Sequence, residues 1–98
     1  METFNDIISS DQLVLVDFFA TWCQPCKMMH PILEQLKAAV GDKLRIIKVD
    51  VDKHNEIAAQ YRIQSVPTLM LFRNGEVLYR NSGVMDKAEL MALLDPFM

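Results

Sequence analysis

Ninety-eight residues and 11.3 kDa are the size of one folding unit, below the length at which chains divide into separate cores. Hydrophobic residues at 51% exclude a disordered chain, and ten Lys and Arg against 13 Asp and Glu leave a net charge of -3 with no basic cluster to meet nucleic acid. No apolar run approaches a membrane span, and the start Met1-Glu2-Thr3-Phe4-Asn5-Asp6 lacks the basic-then-apolar pattern of a leader, so one cytoplasmic domain over residues 1–98 is expected.

In chain order, Phe4, Ile7 and Ile8 behind Thr3 predict a short helix. Leu13 to Phe19 (Leu-Val-Leu-Val-Asp-Phe-Phe) is almost continuously apolar and predicts a strand covered on both faces, with Asp17 anomalous inside it. Cys26, Met29, Leu33, Leu36 and Val40, widened by Ile32 and Ala39, recur at helical spacing and predict an amphipathic helix that stops at Gly41. Lys27, His30, Glu34, Gln35 and Lys37 fall on its polar side, and Pro31 removes one backbone donor, which predicts a kink.

Lys43 to Val51 predicts a second strand and Asn55 to Tyr61 a short helix. Thr68 to Phe72 and Val77 to Asn81 read as antiparallel strands joined by Arg73-Asn74-Gly75-Glu76, where Asn-Gly supplies the positive φ values of a tight turn. Asp86, with Glu89 three residues later, caps a last helix carrying Leu90, Leu93 and Leu94, which is expected to fray by Pro96. The sum is an α/β fold: a mixed sheet of about four strands with helices on both faces.

The only two cysteines are Cys23 and Cys26, too close together for a bridge between them to restrict much of the unfolded chain. Such a pair in a reducing compartment is reactive or metal-binding rather than structural. Trp22-Cys23-Gln24-Pro25-Cys26-Lys27 lies where the first strand gives way to the long helix, and unpaired amides at a helix start stabilise an anion. Pro25 suits a first helical turn, and residues three apart share a helix face within disulfide reach. Cys26 opens the apolar stripe whereas Cys23 precedes it, so Cys23 is expected to stand in open solvent as the nucleophile and Cys26 to lie deeper as the resolving thiol. His30 and His54 are the remaining ligand types for a metal, but their spacing fits a zinc site poorly, and both read as solvated.

Val16 to Lys27, then Ser65-Val66-Pro67-Thr68, then Asn74-Gly75 and Gly83, resemble the thioredoxin family over nearly the whole chain from Leu13 onward. The resemblance implies a thioredoxin fold without its usual opening strand, since only twelve residues precede the first clear strand. Leu44 to Val51 would then be a sheet edge, guarded by Lys43, Arg45 and Lys48.

The same resemblance implies that Asp17 is the family's buried carboxylate behind the second cysteine, its pKa raised by burial, accepting a proton from Cys26. Lys48 is the lysine that tempers it. Pro67 is the cis proline opposite the disulfide, and Val66 offers its backbone amide and carbonyl to an extended substrate segment. Trp22, Val66, Gly83 and Val84 form the apolar contact surface around Cys23. Gln24, where the family usually has glycine, and Pro25 tune the redox poise, and Phe19 replaces a second Trp that many members carry. The implied activity is reduction of protein disulfides by a monomer without cofactor or metal, supplied with electrons by a thioredoxin-reductase-like donor. A binding or chaperone-like module, or a disulfide oxidant or isomerase, is the alternative use of the fold; the presence of both cysteines favours catalysis.

Overall fold

Every residue from Val14 to Phe18 is buried, the condition of a strand flanked on both edges and covered on both faces. The computed structural model describes residues 1–98 as α1 (Phe4–Ile8), β1 (Val14–Phe19), α2 (Gln24–Val40), β2 (Arg45–Asp50), α3 (Asn55–Gln60), β3 (Thr68–Arg73), β4 (Glu76–Ser82) and α4 (Lys87–Leu94). The strands form one mixed sheet in the order β2-β1-β3-β4, with β1 parallel to β2 and antiparallel to β3, and β3 antiparallel to β4. β2 is an edge, as the short amino-terminal segment implied.

Side chains alternate between the two faces of a strand, and both sets here are apolar. Leu13, Leu15, Leu69 and Leu71 meet Met29, Leu33 and Leu36 of α2 and Leu90 and Leu94 of α4. Val14, Val16, Phe18, Met70 and Phe72 meet Ile8 of α1, with Ile57 and Tyr61 of the α3 region packed alongside. Burying one such Leu or Phe contributes roughly 1.5–3 kcal/mol.

Thr3 caps α1 and Asp86 caps α4, each in a reciprocal box with the acidic residue three positions on. Asn74 and Gly75 both adopt positive φ, 54° and 78°, and their amides donate to the Ser10 and Ile8 carbonyls at 2.8 Å. The hairpin tip is thus docked on the end of α1, opposite the end of the sheet where β1 finishes and β3 begins.

Three expectations need correction. The second strand starts at Arg45 rather than Lys43, because Gly41–Lys43 form a 3-10 turn whose carbonyl at Gly41, with that of Leu44, binds the Lys37 ammonium at 2.8 and 2.6 Å. Ala39 is exposed and does not widen the apolar stripe. The chain does not fray by Pro96: Asp95–Phe97 make a further 3-10 turn, and the Arg73 guanidinium donates to the Phe97 carbonyl at 2.8 Å. Pro31 lies inside α2, which runs unbroken through it to the Gly41 stop.

Candidate active site

Three connections converge because β1 ends, β3 begins and β4 ends at the same edge of the sheet: Phe18 pairs with Thr68, and Thr68 with Ser82. They carry Ala20 to Cys26, Ser65 to Pro67, and Gly83 to Met85. Cys23 is the N-cap of α2, with extended backbone, and its Sγ accepts a hydrogen bond from the Cys26 amide at 3.2 Å. That amide is one of the donors a helix start leaves without a helical partner, so the local fold itself points a partial positive charge at the sulfur. Pro25 occupies the first turn, where it has no helical hydrogen bond to lose. Cys23 and Cys26 form a disulfide with Cα atoms 5.3 Å apart, within ordinary helical geometry.

Exposure does not distinguish the two cysteines. Cys23 is 4% and Cys26 6% exposed, since Ala20, Phe19, Val51 and Val66 pack around the pair. Cys23 is therefore not in open solvent in the disulfide form. Their partners distinguish them instead: Cys23 Sγ sits on the Cys26 amide and 3.6 Å from the Val66 carbonyl, whereas Cys26 lines a cavity of about 420 Å³ that it shares with Asp17, Lys27, His30 and Lys48.

Asp17 is 2% exposed, and its Oδ1 has no hydrogen-bond partner. Burial pushes its carboxyl up to about 6, opposed first by the Lys48 ammonium and more weakly by His30. Lys48 stands directly beside it in the β1–β2 register, and neighbouring residues of parallel strands project to the same face. The lysine is exposed, with its head group over the cavity mouth rather than in the core.

His30 is exposed but not simply solvated, contrary to its appearance in the sequence. Its Nδ1 meets the Lys48 Nζ, and its Nε2 lies 2.8 Å from Glu34 Oε1 one turn along α2. His54 turns instead toward Glu56 at 3.9 Å, so the two histidines do not join the cysteines in one cluster.

The Val66–Pro67 bond is cis. Pro67 is buried and Val66 half-buried. Thr68 fixes this turn by donating from Oγ1 to the Ser65 carbonyl at 2.7 Å and meeting Ser82 Oγ at 3.0 Å. The Gly83 amide donates to the Pro67 carbonyl at 2.9 Å. Gly83 has φ 103° and open space where a Cβ would stand, so backbone conformation rather than room requires glycine there. Trp22 is 68% exposed and Val84 38%. Gln24 and Pro25 are exposed beside the disulfide.

The Trp22 indole donates from Nε1 to Asp52 Oδ2 at 3.0 Å, a partner that sequence reasoning missed. The signal for it was Asp50-Val51-Asp52 at the end of a strand, an aspartate-rich turn. Asp50 Oδ1 accepts from the amides of Asp52 and Lys53 at 2.9 and 3.3 Å and so shapes that turn.

A vicinal pair of cysteines that closes a disulfide at a helix start, with an under-solvated carboxyl behind it, is the working part of a thiol–disulfide oxidoreductase. The family model described as thioredoxin matches residues 1–96. A thioredoxin-like protein of Synechocystis sp. is 47% identical over 91 residues, covering 93% of this chain and 87% of that protein. Thioredoxin of Bacillus subtilis is 45% identical over 87 residues, covering 89% and 84%. A solved structure of thioredoxin-2, titled a component of malaria parasite protein secretion machinery, superposes with a TM-score of 0.84 at 30% identity, covering 87% of this chain and 82% of that one.

The chain belongs to the thioredoxin family. It is a protein-disulfide reductase that works by thiol–disulfide exchange through its cysteine pair.

Proposed function

We propose the following division of labour within the site of a single, monomeric domain. Cys23, as thiolate, attacks one sulfur of a protein disulfide, forming a mixed disulfide and expelling the other sulfur as a thiolate. Cys26 then gives its proton to the Asp17 carboxylate, directly or through water, and attacks Cys23 Sγ. The Cys23–Cys26 disulfide closes, the second substrate sulfur leaves, and two electrons have passed to the substrate. The observation that carries this reading is the hydrogen bond from the Cys26 amide to Cys23 Sγ, which stabilises a thiolate at Cys23 and at no other sulfur.

Supporting roles follow from position. Lys48 supplies a cation near Asp17. Val66 presents backbone polar groups to an extended substrate segment, while Pro67 and Gly83 hold that loop through their mutual hydrogen bond. Trp22 and Val84 give the exposed apolar contact. Gln24 and Pro25, which separate the cysteines, tune the potential.

The oxidised pair needs a dithiol donor, for which a thioredoxin-reductase-like partner is the family's match. A reducing compartment, the cytoplasm, suits a disulfide reductase. No helix is long and apolar enough to cross a membrane.

The test is a trap. With Cys26→Ser, a disulfide-containing protein should remain covalently attached to Cys23, and mass spectrometry should locate the adduct there. Adducts accumulating on Cys26 in the Cys23→Ser protein would reverse the roles.

A further inference from the structure

The group around Asp17 contains one residue that the exchange scheme leaves idle. Lys48 carries an ammonium, which only donates hydrogen bonds, so the His30 Nδ1 that meets it must be the unprotonated, accepting nitrogen. The ring proton then resides on Nε2, which donates to Glu34 Oε1 at 2.8 Å. Donors and acceptors alternate without conflict from Lys48 through His30 to Glu34, and this chain crosses from β2 to α2. Both Lys48 and His30 border the cavity that Asp17 and Cys26 share.

We propose that His30 is a positioning residue: its Nδ1 holds the Lys48 ammonium at the mouth of the Asp17–Cys26 cavity. A lysine on an exposed edge strand has a long stem and many rotamers. Without an acceptor on α2, its charge spreads into solvent and away from the carboxyl.

The charged groups that face His30 are Lys48 from β2, Asp17 from β1, and Lys27, Glu34 and Lys37 from α2 itself. Lys37 cannot replace His30 as the anchor, being a cation already engaged by the Gly41 and Leu44 carbonyls. Lys27 is also a cation. Among these α2 side chains, only His30 offers Lys48 a neutral acceptor. Less cation beside Asp17 leaves its carboxyl protonated to higher pH, and fewer sites are then ready to take the Cys26 proton near neutrality.

The inference rests on the proposed role of Asp17 only for its kinetic consequence; the anchor itself is tested without it. Carboxyl carbon NMR titration of Asp17 is run on the oxidised protein, in which neither cysteine titrates, for wild type, His30→Ala, His30→Gln, Lys48→Met and the His30→Ala/Lys48→Met pair. Lys48→Met and His30→Ala should each move the Asp17 midpoint upward. His30→Gln, whose amide oxygen can accept from the ammonium, should stay nearer wild type than His30→Ala. His30→Ala should add little once Lys48 is gone.

In turnover, His30→Ala should slow mixed-disulfide release roughly two- to threefold at pH 6 and leave it unchanged at pH 8. An Asp17 titration in His30→Ala superimposable on wild type would overturn the anchor. So would equal displacements in His30→Ala and His30→Gln, or an undiminished effect of His30→Ala on the Lys48→Met background. Failure of the Asp17 proton-acceptor role would show separately, as wild-type release by Asp17→Asn, and would leave the NMR result standing.

Discussion

The amino ends of α2 and α4 both leave backbone amides without helical partners, and different atoms satisfy them. At α4, Asp86 Oδ1 accepts from the Glu89 amide at 2.8 Å and Glu89 Oε1 from the Asp86 amide at 3.1 Å. At α2 the acceptor is Cys23 Sγ, and no acidic residue occupies the first turn. A permanent carboxylate at α4 serves stability alone. At α2 the place of the permanent anion is left to a sulfur that gains and loses charge in the proposed exchange, and a fixed carboxylate there would raise the thiol's pKa by repulsion.

Three substitutions sharpen that contrast, in decreasing order of effect. Cys23→Ser keeps a good capping atom but removes the nucleophile, so disulfide reduction in a coupled insulin assay should fall by at least about a thousandfold while the reduced protein stays folded. Turnover surviving in that protein would make the sulfur a structural cap like Asp86.

Asp17→Asn comes next and acts on stability. Burial raises this carboxyl from 3.8 to about 6, so between those values the folded state retains a proton that the unfolded state has lost. Stability of the native chain therefore falls as pH climbs through that window. The full loss, about 3 kcal/mol, is present above it. Urea unfolding at pH 8 should find Asp17→Asn more stable by about that amount, with the gap closing toward pH 4. A gap independent of pH would mean that Asp17 carries no buried charge.

The smallest effect belongs to Asp86→Ala. Loss of the α4 cap should cost about 1 kcal/mol, lowering the melting temperature by roughly 4–8 °C, with the exchange rate unchanged.

The order of elements, the apolar faces of the strands, the Thr3 cap, the Asp86–Glu89 capping box and the Asn74–Gly75 turn were legible because each depends on residues within a few positions of one another. Cys23, Cys26 and the anomalous Asp17 were legible as chemistry out of place in an apolar run. What escaped is non-local. His30 lies on the polar face of a helix, where nothing nearby in sequence distinguishes an anchored imidazole from a free one; its partner Lys48 arrives only when β2 packs beside β1. Trp22 meets Asp52 across thirty positions. The burial of Cys23 depends on Val66, brought over it by a loop that follows α3, so reading the helix tip as open was correct for α2 alone and wrong for the folded chain.

The two cysteines close their bridge with Cα atoms at helical separation, and in that bridged form Cys23 Sγ still caps the Cys26 amide. The loaded and the spent protein can therefore share one backbone. Under the proposed roles, a partner that donates electrons and one that takes them would face nearly the same contour and would tell the forms apart by whether a negative charge sits at the tip of α2. Recognition of redox state becomes a matter of reading one atom rather than a change of shape.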